Sequence, residues 1–186
     1  MRTDRLEREY DVALRVVHFP LHPETPEEGR ALSDLFAGRE AMWNEMRARL
    51  EAAMAEEGLP YGDRTMTYNS RLAQELAAWA VEQPGGAAIH DALFRAYFAG
   101  GQNIGDPDTL VSLAAAVGLS ADGARAVLET RSYSEVVERD WVRSRQIGVT
   151  GVPTYVAAGL GVVGAQPYEA LEELVRRAGG ERRPAA

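Results

Sequence analysis

Cysteine is absent from this chain of 186 residues. Its absence excludes disulfide bonds, thiolate nucleophiles and zinc sites built on cysteine. Histidine is scarce as well, and the three scattered histidines do not form a recognisable metal-binding motif. The sequence therefore predicts no bound metal and no sulfur-based chemistry within the chain itself.

Long apolar segments are missing too. No run of about 18 apolar residues exists, so the sequence predicts no transmembrane helix. The segment Met1–Tyr10 is charged and lacks the apolar centre of a signal peptide, which predicts a cytoplasmic protein. The chain has 20 Lys and Arg but 28 Asp and Glu, whereas nucleic-acid binding needs clustered positive charge. We expect neither a nucleic-acid partner nor a membrane partner.

The apolar fraction of 46% is enough for a core, and the length suits one domain or one domain with a large insertion. Residues 12–19 form an apolar, β-branched run that is typical of a buried strand. Through residues 24–148 the apolar positions repeat at helical spacing. Strand-like segments return at 154–158 and 160–164. We therefore expect three strands, one almost wholly helical block and, at 179–186, a flexible tail.

The most informative local feature is Gly148–Val156, where a proline is flanked by strand-forming residues. Pro153 cannot donate a hydrogen bond to a central ladder, so it marks the entrance of a strand. An X-Pro bond in such a turn is a candidate for the cis isomer, and we expect the Val152–Pro153 bond to be cis. The glycines at 159 and 161 then predict a hairpin, and a helix is expected from Gln166.

Two segments, GVTGVPTYV at 148–156 and VVGAQPYEAL at 162–171, resemble the DsbA-like dithiol–disulfide oxidoreductases. Within that family the chain is most similar to the FrnE and 2-hydroxychromene-2-carboxylate isomerase group. The resemblance implies an α/β fold with a thioredoxin-like, DsbA-type sheet. Residues 1–23 and 149–178 would form the thioredoxin-like domain, and 24–148 would be an all-helical insertion.

The first strand of this family, and the Cys-Pro-x-Cys motif that follows it, are missing from the chain. Without that strand, two inner edges of the sheet would carry unpaired N–H and C=O groups. Three explanations stay open: the gene product is longer, the chain is a truncated relic, or the remaining strands close the gap by direct pairing, swapping or homodimer formation. If the first holds, the reading frame upstream of Met1 should encode an apolar β-rich run and then Cys-Pro-x-Cys or a serine variant.

The activity that the resemblance implies is thiol–disulfide oxidoreduction on a protein or a small thiol or disulfide. The chain alone cannot perform it, because it has no sulfur nucleophile. The alternative enzyme is a glutathione-dependent isomerase, but no serine precedes Ser33, so its serine nucleophile cannot be assigned. A third hypothesis is a non-catalytic module that binds peptides or thiols. The residue type at the start of the missing helix distinguishes the two enzymes.

The resemblance places the substrate-binding edge at the proline loop. Val152 and Pro153 match the loop that presents backbone groups to an extended substrate, and Thr150 and Gly151 precede it. His22 follows the predicted strand 12–19, whose carboxyl end would lie at the same sheet edge, where ligands commonly bind. The alternative for the loop is a purely structural turn, and the alternative for His22 is a surface histidine without a role.

Overall fold

The structure is a computed structural model that describes residues 2–184. It divides into two compact units. The terminal unit contains the residues up to Leu21 and those from Trp141 onward, and the helical unit is His22–Asp140. The sequence analysis had placed the corresponding boundaries after residues 23 and 148.

The chain is mostly helical, with two short antiparallel strand pairs. A 3-10 turn at Gly86–Ala88 precedes α5, and a π-helical turn at Arg95–Ala99 follows it. The elements, in chain order, are α1 (Arg2–Glu9), β1 (Arg30–Ala31), α2 (Leu32–Leu35), α3 (Glu40–Glu56), β2 (Met66–Thr67), α4 (Arg71–Ala80), α5 (Ile89–Phe94), α6 (Pro107–Ala116), α7 (Ala121–Thr130), α8 (Ser134–Gln146), β3 (Thr154–Ala157), β4 (Leu160–Val163) and α9 (Tyr168–Arg177). Among the described residues no helix is both long and apolar enough to cross a bilayer.

In the helical unit, the expected helical block is present with one addition. Strands β1 and β2 pair through Arg30 opposite Thr67 and Ala31 opposite Met66. The core of this unit is built by α4 to α7, and its fully buried side chains include Leu76, Ile89 and Leu110. The short strand pair escaped the sequence analysis because two residues are too few to show a periodic pattern.

The terminal unit contains the β3–β4 hairpin, close to both expected strands. Tyr155 pairs with Val162, and the two residues of the turn, Ala158 and Gly159, both have positive φ. One face of the hairpin packs on a cluster formed by α1 and α9. The members of that cluster are Leu6, Tyr10, Tyr168, Leu171 and Val175, with Val12, Tyr155 and Val162 packed against them.

The strand expected at 12–19 is not present. Among residues 2–184 no strand forms a ladder with this segment, and without a neighbour a β-branched run cannot become a strand, whatever its propensity. The backbone N–H of Leu14 instead donates to Glu7 Oε1 at 2.9 Å. As a result Leu14 and Val16 are 44% and 57% exposed, where the sequence predicted burial.

The C-terminal segment also differs from the expected flexible tail at 179–186. The N–H of Asp11 donates to the carbonyl of Glu181 at 2.8 Å, and the N–H of Arg183 donates to the carbonyl of Glu9 at the same distance. Residues 181–183 are therefore hydrogen-bonded to the last residue of α1 and to the segment that follows it, a pairing that local sequence cannot reveal. Residues 185 and 186 of the predicted tail lie outside the described residues.

Candidate functional site

The candidate site is the loop at residues 149–153, between α8 and β3. Helix α8 is followed by Gly148 at φ 76°, and the N–H of Val149 donates to the carbonyl of Ser144 at 2.9 Å. A positive φ suits glycine because it has no Cβ to clash with the backbone. The chain then turns into the loop, where the Val152–Pro153 peptide bond is cis, as the sequence predicted.

Two hydrogen bonds attach this loop to the hairpin. Thr154 Oγ1 donates to the carbonyl of Gly151 at 2.7 Å, and the N–H of Gly164 donates to the carbonyl of Pro153 at 2.8 Å. One bond comes from the start of β3 and the other from the end of β4. The hairpin therefore holds the loop at its middle residue, Gly151, and at its last residue, Pro153.

The two loop residues on either side of Gly151 remain open. Thr150 and Val152 make no hydrogen bond within residues 2–184. Val152 is 50% exposed, although valine is a residue that folding usually buries. An exposed backbone with unused donors and acceptors is what an extended peptide needs in order to pair with a protein.

A cavity of about 700 Å³ lies beside the loop, within the terminal unit. Its size is in the range of small-ligand sites, roughly 300–1,000 Å³. The lining is mainly apolar and comes from the segment after α1, from β3 and from α9, and its charged members are both arginines. The lining includes Leu14, Arg15, Arg143, Val152, Val156, Leu171 and Leu174. We call this the β3 cavity.

His22 belongs to the helical unit, of which it is the first residue, whereas Thr150, Gly151, Val152 and Pro153 belong to the terminal unit. Its Nδ1 lies 3.6 Å from Glu24 Oε1, and its carbonyl accepts from the N–H of Thr25 at 3.2 Å. The four loop residues are consecutive in the sequence, so their role in substrate binding also stays a prediction. A role for His22 at the substrate groove stays a prediction.

A network around Glu9 was not found by sequence reasoning. The Glu9 carboxylate accepts hydrogen bonds from Arg5 Nε at 2.6 Å, and from the Tyr168 hydroxyl and Arg182, both at 2.9 Å. These donors, Arg5 first, lower the pKa of Glu9 to about 2. Burial and the bond to Glu9 raise the pKa of Tyr168 to about 12. Of the three contacts, only the one from Arg5 could be inferred from the sequence, because residues four positions apart on a helix lie on the same face.

The site has no thiol that could act as a nucleophile. The sequence contains no cysteine. Across residues 2–184, no group of three or more His, Asp or Glu side chains lies where it could hold a metal ion. What the loop and the β3 cavity offer is open backbone, apolar surface and two guanidinium groups.

Known proteins support a family assignment for nearly the whole chain. The model of the DsbA-like thioredoxin domain family matches residues 1–176. The chain is similar to the probable DsbA oxidoreductase SCO1869 from Streptomyces coelicolor, with 32% sequence identity. The TM-score between this structure and that crystal structure is 0.78. That match covers 89% of this chain and 75% of the other.

Two further matches are weaker. A solved structure from Nitrosomonas europaea has a TM-score of 0.60 at 16% identity, over 76% of this chain and 74% of its own, and it supports the fold alone. The uncharacterized protein YwbO from Bacillus subtilis is 32% identical over 105 residues, which is 56% of this chain and 52% of that protein. The chain thus matches about half the length of this curated relative. On the family match and the Streptomyces structure together, the chain belongs to the DsbA-like thioredoxin domain family and has its thioredoxin fold.

Proposed function

We propose that this chain is the substrate-docking part of a DsbA-type thiol–disulfide oxidoreductase, and that the loop from Thr150 to Pro153 binds an extended thiol or disulfide substrate. The observation that carries the proposal is the open backbone of Thr150 and Val152 beside an apolar cavity. In this assignment residues 1–23 and 149–178 are the thioredoxin-like domain, and 24–148 are the helical insertion.

Exchange between a thiol and a disulfide begins when a thiolate attacks a disulfide sulfur. The methionines are the chain's source of sulfur, and a thioether cannot take the role of that thiolate. The chain by itself therefore binds the substrate without exchanging it. The cysteine that completes the reaction has to come from outside these 186 residues.

The oxidoreductase branch is favoured over the glutathione-dependent isomerase. The Streptomyces relative, at 32% identity, is described as a probable DsbA oxidoreductase. In addition, the open loop presents main-chain groups, and these suit an extended peptide better than a small aromatic acid. Membership of the FrnE group stays a prediction that rests on the segments at 148–156 and 162–171. A cytoplasmic location and a homodimer remain predictions from the sequence.

The test is a binding experiment with an isotope-labelled chain. The probe is a short extended peptide whose central cysteine is capped by glutathione as a mixed disulfide. We expect the amide signals of Thr150, Gly151, Val152 and Thr154 to shift on titration. Val152→Asp should weaken binding by about tenfold or more, because it places a charge on an apolar contact.

Val163→Asp is the matched control. Val163 lies on β4 of the same unit and is 58% exposed, but it neither belongs to the loop nor lines the β3 cavity. This variant should bind the capped peptide as the parent does. Equal affinities for the two variants, or signal shifts confined to the helical unit, would refute docking at the loop. In an insulin-reduction assay the parent chain should show no turnover above buffer.

A further inference from the structure

An exposed aromatic surface lies on the helical unit, outside its closed core. Phe94 on α5 is 62% exposed, although phenylalanine is a residue that folding usually buries. The ring centroid of Phe98 lies 6.2 Å from that of Phe94 and 6.5 Å from that of Tyr61, and both ring pairs are stacked. Phe98 and Tyr61 are half-buried. We call these three side chains the Phe94 surface.

Hydrogen bonding fixes the backbone beneath the Phe94 surface. Phe98 lies in the π-helical turn Arg95–Ala99. The N–H of Gly62 donates to the carbonyl of Phe98 at 2.9 Å, and a Cβ on Gly62 would lie 2.2 Å from the carbonyl oxygen of Ala99. The residue after Tyr61 is therefore attached directly to the turn. Turns of this kind are frequent at functional sites, and a surface that is fixed before binding loses little entropy when a partner arrives.

A guanidinium group adjoins these rings. The Cζ atom of Arg64 lies 4.2 Å from the ring centroid of Tyr97 and 5.3 Å from that of Phe98, within the range of a cation–π contact. Its Nη1 donates to the carbonyl of Met66 at 3.1 Å and to the Tyr97 hydroxyl. Its Nε is buried and has no hydrogen-bond partner among residues 2–184. Both acceptors are neutral, so no carboxylate of the described chain balances the charge of Arg64.

Two other partly buried arginines of the helical unit have carboxylate partners. Arg47 binds Asp63 at 3.0 Å, and Arg71 binds Glu75 at 2.7 Å. Asp63 precedes Arg64 in the chain, yet its carboxylate pairs with Arg47 instead. Charges that folding removes from water are normally paired. The unbalanced charge of Arg64 therefore favours a carboxylate from another molecule.

We propose that the Phe94 surface and Arg64 together form a docking site for a partner protein that presents one large apolar side chain next to one carboxylate. The apolar side chain packs on the rings of Phe94 and Phe98, and the carboxylate pairs with the guanidinium of Arg64. Aromatic residues and arginine are the side chains that contribute most to such interfaces. The partner segment has a single carboxylate because the chain, with a net charge of −8, repels a polyanion. No thiol takes part, so the proposal does not depend on the loop from Thr150 to Pro153.

The first arm of the test uses peptides. The probe is the tetrapeptide Ala-Trp-Glu-Ala, acetylated and amidated so that the Glu carboxylate is its single charge. Titrated into the isotope-labelled chain, it should cause saturable shifts of the Arg64 side-chain N–H signals and of the Gly62 and Phe98 amides. The same peptide with Gln in place of Glu should bind about fivefold more weakly or worse, because it lacks the charge-assisted hydrogen bond. Equal affinities of the two peptides would overturn the proposal.

The second arm uses variants of the protein. Phe94→Ser should weaken binding of the Glu peptide by about tenfold or more, because it removes the apolar contact. Val81→Ser is the matched control, since Val81 is 52% exposed in the same unit but lies outside the Phe94 surface, and it should bind as the parent does. Arg64→Gln should abolish the preference for the Glu peptide over the Gln peptide. If circular dichroism shows that Arg64→Gln is unfolded, the other two variants still decide, because equal affinities for them would refute the site.

Two further measurements address other occupants of the surface. A peptide with three Glu residues should bind no more tightly than the tetrapeptide, and tighter binding would contradict a partner with a single carboxylate. Sedimentation of the parent chain should show no self-association that Phe94→Ser removes. Self-association of that kind would assign the surface to a second copy of this chain and would overturn the proposal.

Discussion

The two units of this chain use their apolar residues in different ways. In the helical unit, four helices surround Leu76, Ile89 and Leu110, all of them fully buried. In the terminal unit, a smaller cluster covers one face of the hairpin, while Leu14, Val152 and Val156 remain about half exposed. The difference indicates that apolar burial stabilises the helical unit more than the terminal unit, because unburied apolar surface contributes nothing to folding.

Polar residues differ between the units as well. Glu75 is fully buried in the helical unit, and Arg131 binds its carboxylate through two bonds of 2.8 and 2.7 Å, while Arg71 adds a third of 2.7 Å. Burial by itself raises the pKa of Glu75, but the bonds from the two arginines outweigh it, so that the pKa lies below its ordinary value. The Glu9 network of the terminal unit is nearer the surface and tethers the C-terminal segment.

The largest expected effect comes from a pair of leucine substitutions. Leu110→Ala in the helical unit should lower the free energy of unfolding by about 2–5 kcal/mol, since it opens a cavity in a closed core. Leu14→Ala in the terminal unit should change it by about 0.5 kcal/mol or less, because Leu14 is already half exposed. Urea unfolding followed by circular dichroism measures both. Equal losses would remove the contrast between the units.

The buried ion network should give the next largest effect. Arg131→Ala removes two of the three hydrogen bonds to buried Glu75. It should lower the free energy of unfolding by about 3 kcal/mol. This value is the lower end of the range for breaking a buried ion pair, because Arg71 still binds Glu75. The matched control is Arg125→Ala, whose guanidinium is 2.8 Å from the exposed Asp108 and whose loss should cost at most about 1 kcal/mol. If Arg131→Ala lowers the free energy of unfolding no more than the control does, the ion pair between Arg131 and buried Glu75 does not stabilise the fold.

The Glu9 network gives a pH-dependent prediction for the terminal unit. Because the pKa of Glu9 is lowered from 4.5 to about 2, its ionised form favours the folded state. That contribution is fully present above pH 4.5 and is lost as the pH falls through about 2. Carboxyl ¹³C NMR should show the Glu9 signal titrating near pH 2.

Variants separate this network from a general acid effect. Tyr168→Phe removes one hydrogen bond to Glu9 and should move its midpoint upward, as should Arg182→Ala. Arg177→Ala is the control, since Arg177 lies in the last turn of α9 and makes no hydrogen bond to Glu9. A midpoint that stays the same in all three variants would contradict the assigned cause of the low pKa.

Sequence reasoning succeeded where the signal was local. Pro153 in its loop, the hairpin at 154–157 and 160–163, and the helical periodicity of 24–148 were all readable from short windows, and the resemblance to the DsbA-like family is confirmed over residues 1–176. The parts that failed depend on contacts between distant residues. The run 12–19 lacks a partner strand, residues 181–183 pair with 9–11, and Arg131 reaches Glu75 across 56 positions.

The candidate site was readable only in part. The resemblance located Thr150 to Pro153, because the segment at 148–156 that carries it contains the loop, and the binding role of these residues stays a prediction. The β3 cavity could not be located from the sequence, because its lining comes from segments as far apart as Leu14 and Leu174. The sequence pattern of these segments does not distinguish the wall of a cavity from a closed core.

The smallest expected effect lies in the turn of the hairpin. Ala158 has φ 47° and Gly159 has φ 77°, so both central residues are in the left-handed region that a type I′ turn requires. Alanine is strained there, whereas asparagine tolerates it and Asn-Gly is the preferred pair. Ala158→Asn should therefore raise the stability of the terminal unit by roughly 0.5–1 kcal/mol.

Ala157→Asn, one residue earlier within β3, is the control and should not stabilise. Hydrogen exchange of the β3 and β4 amides measures the effect where it arises. Slower exchange confined to the hairpin would sharpen the contrast between the units, and no change would show that the turn is not under strain.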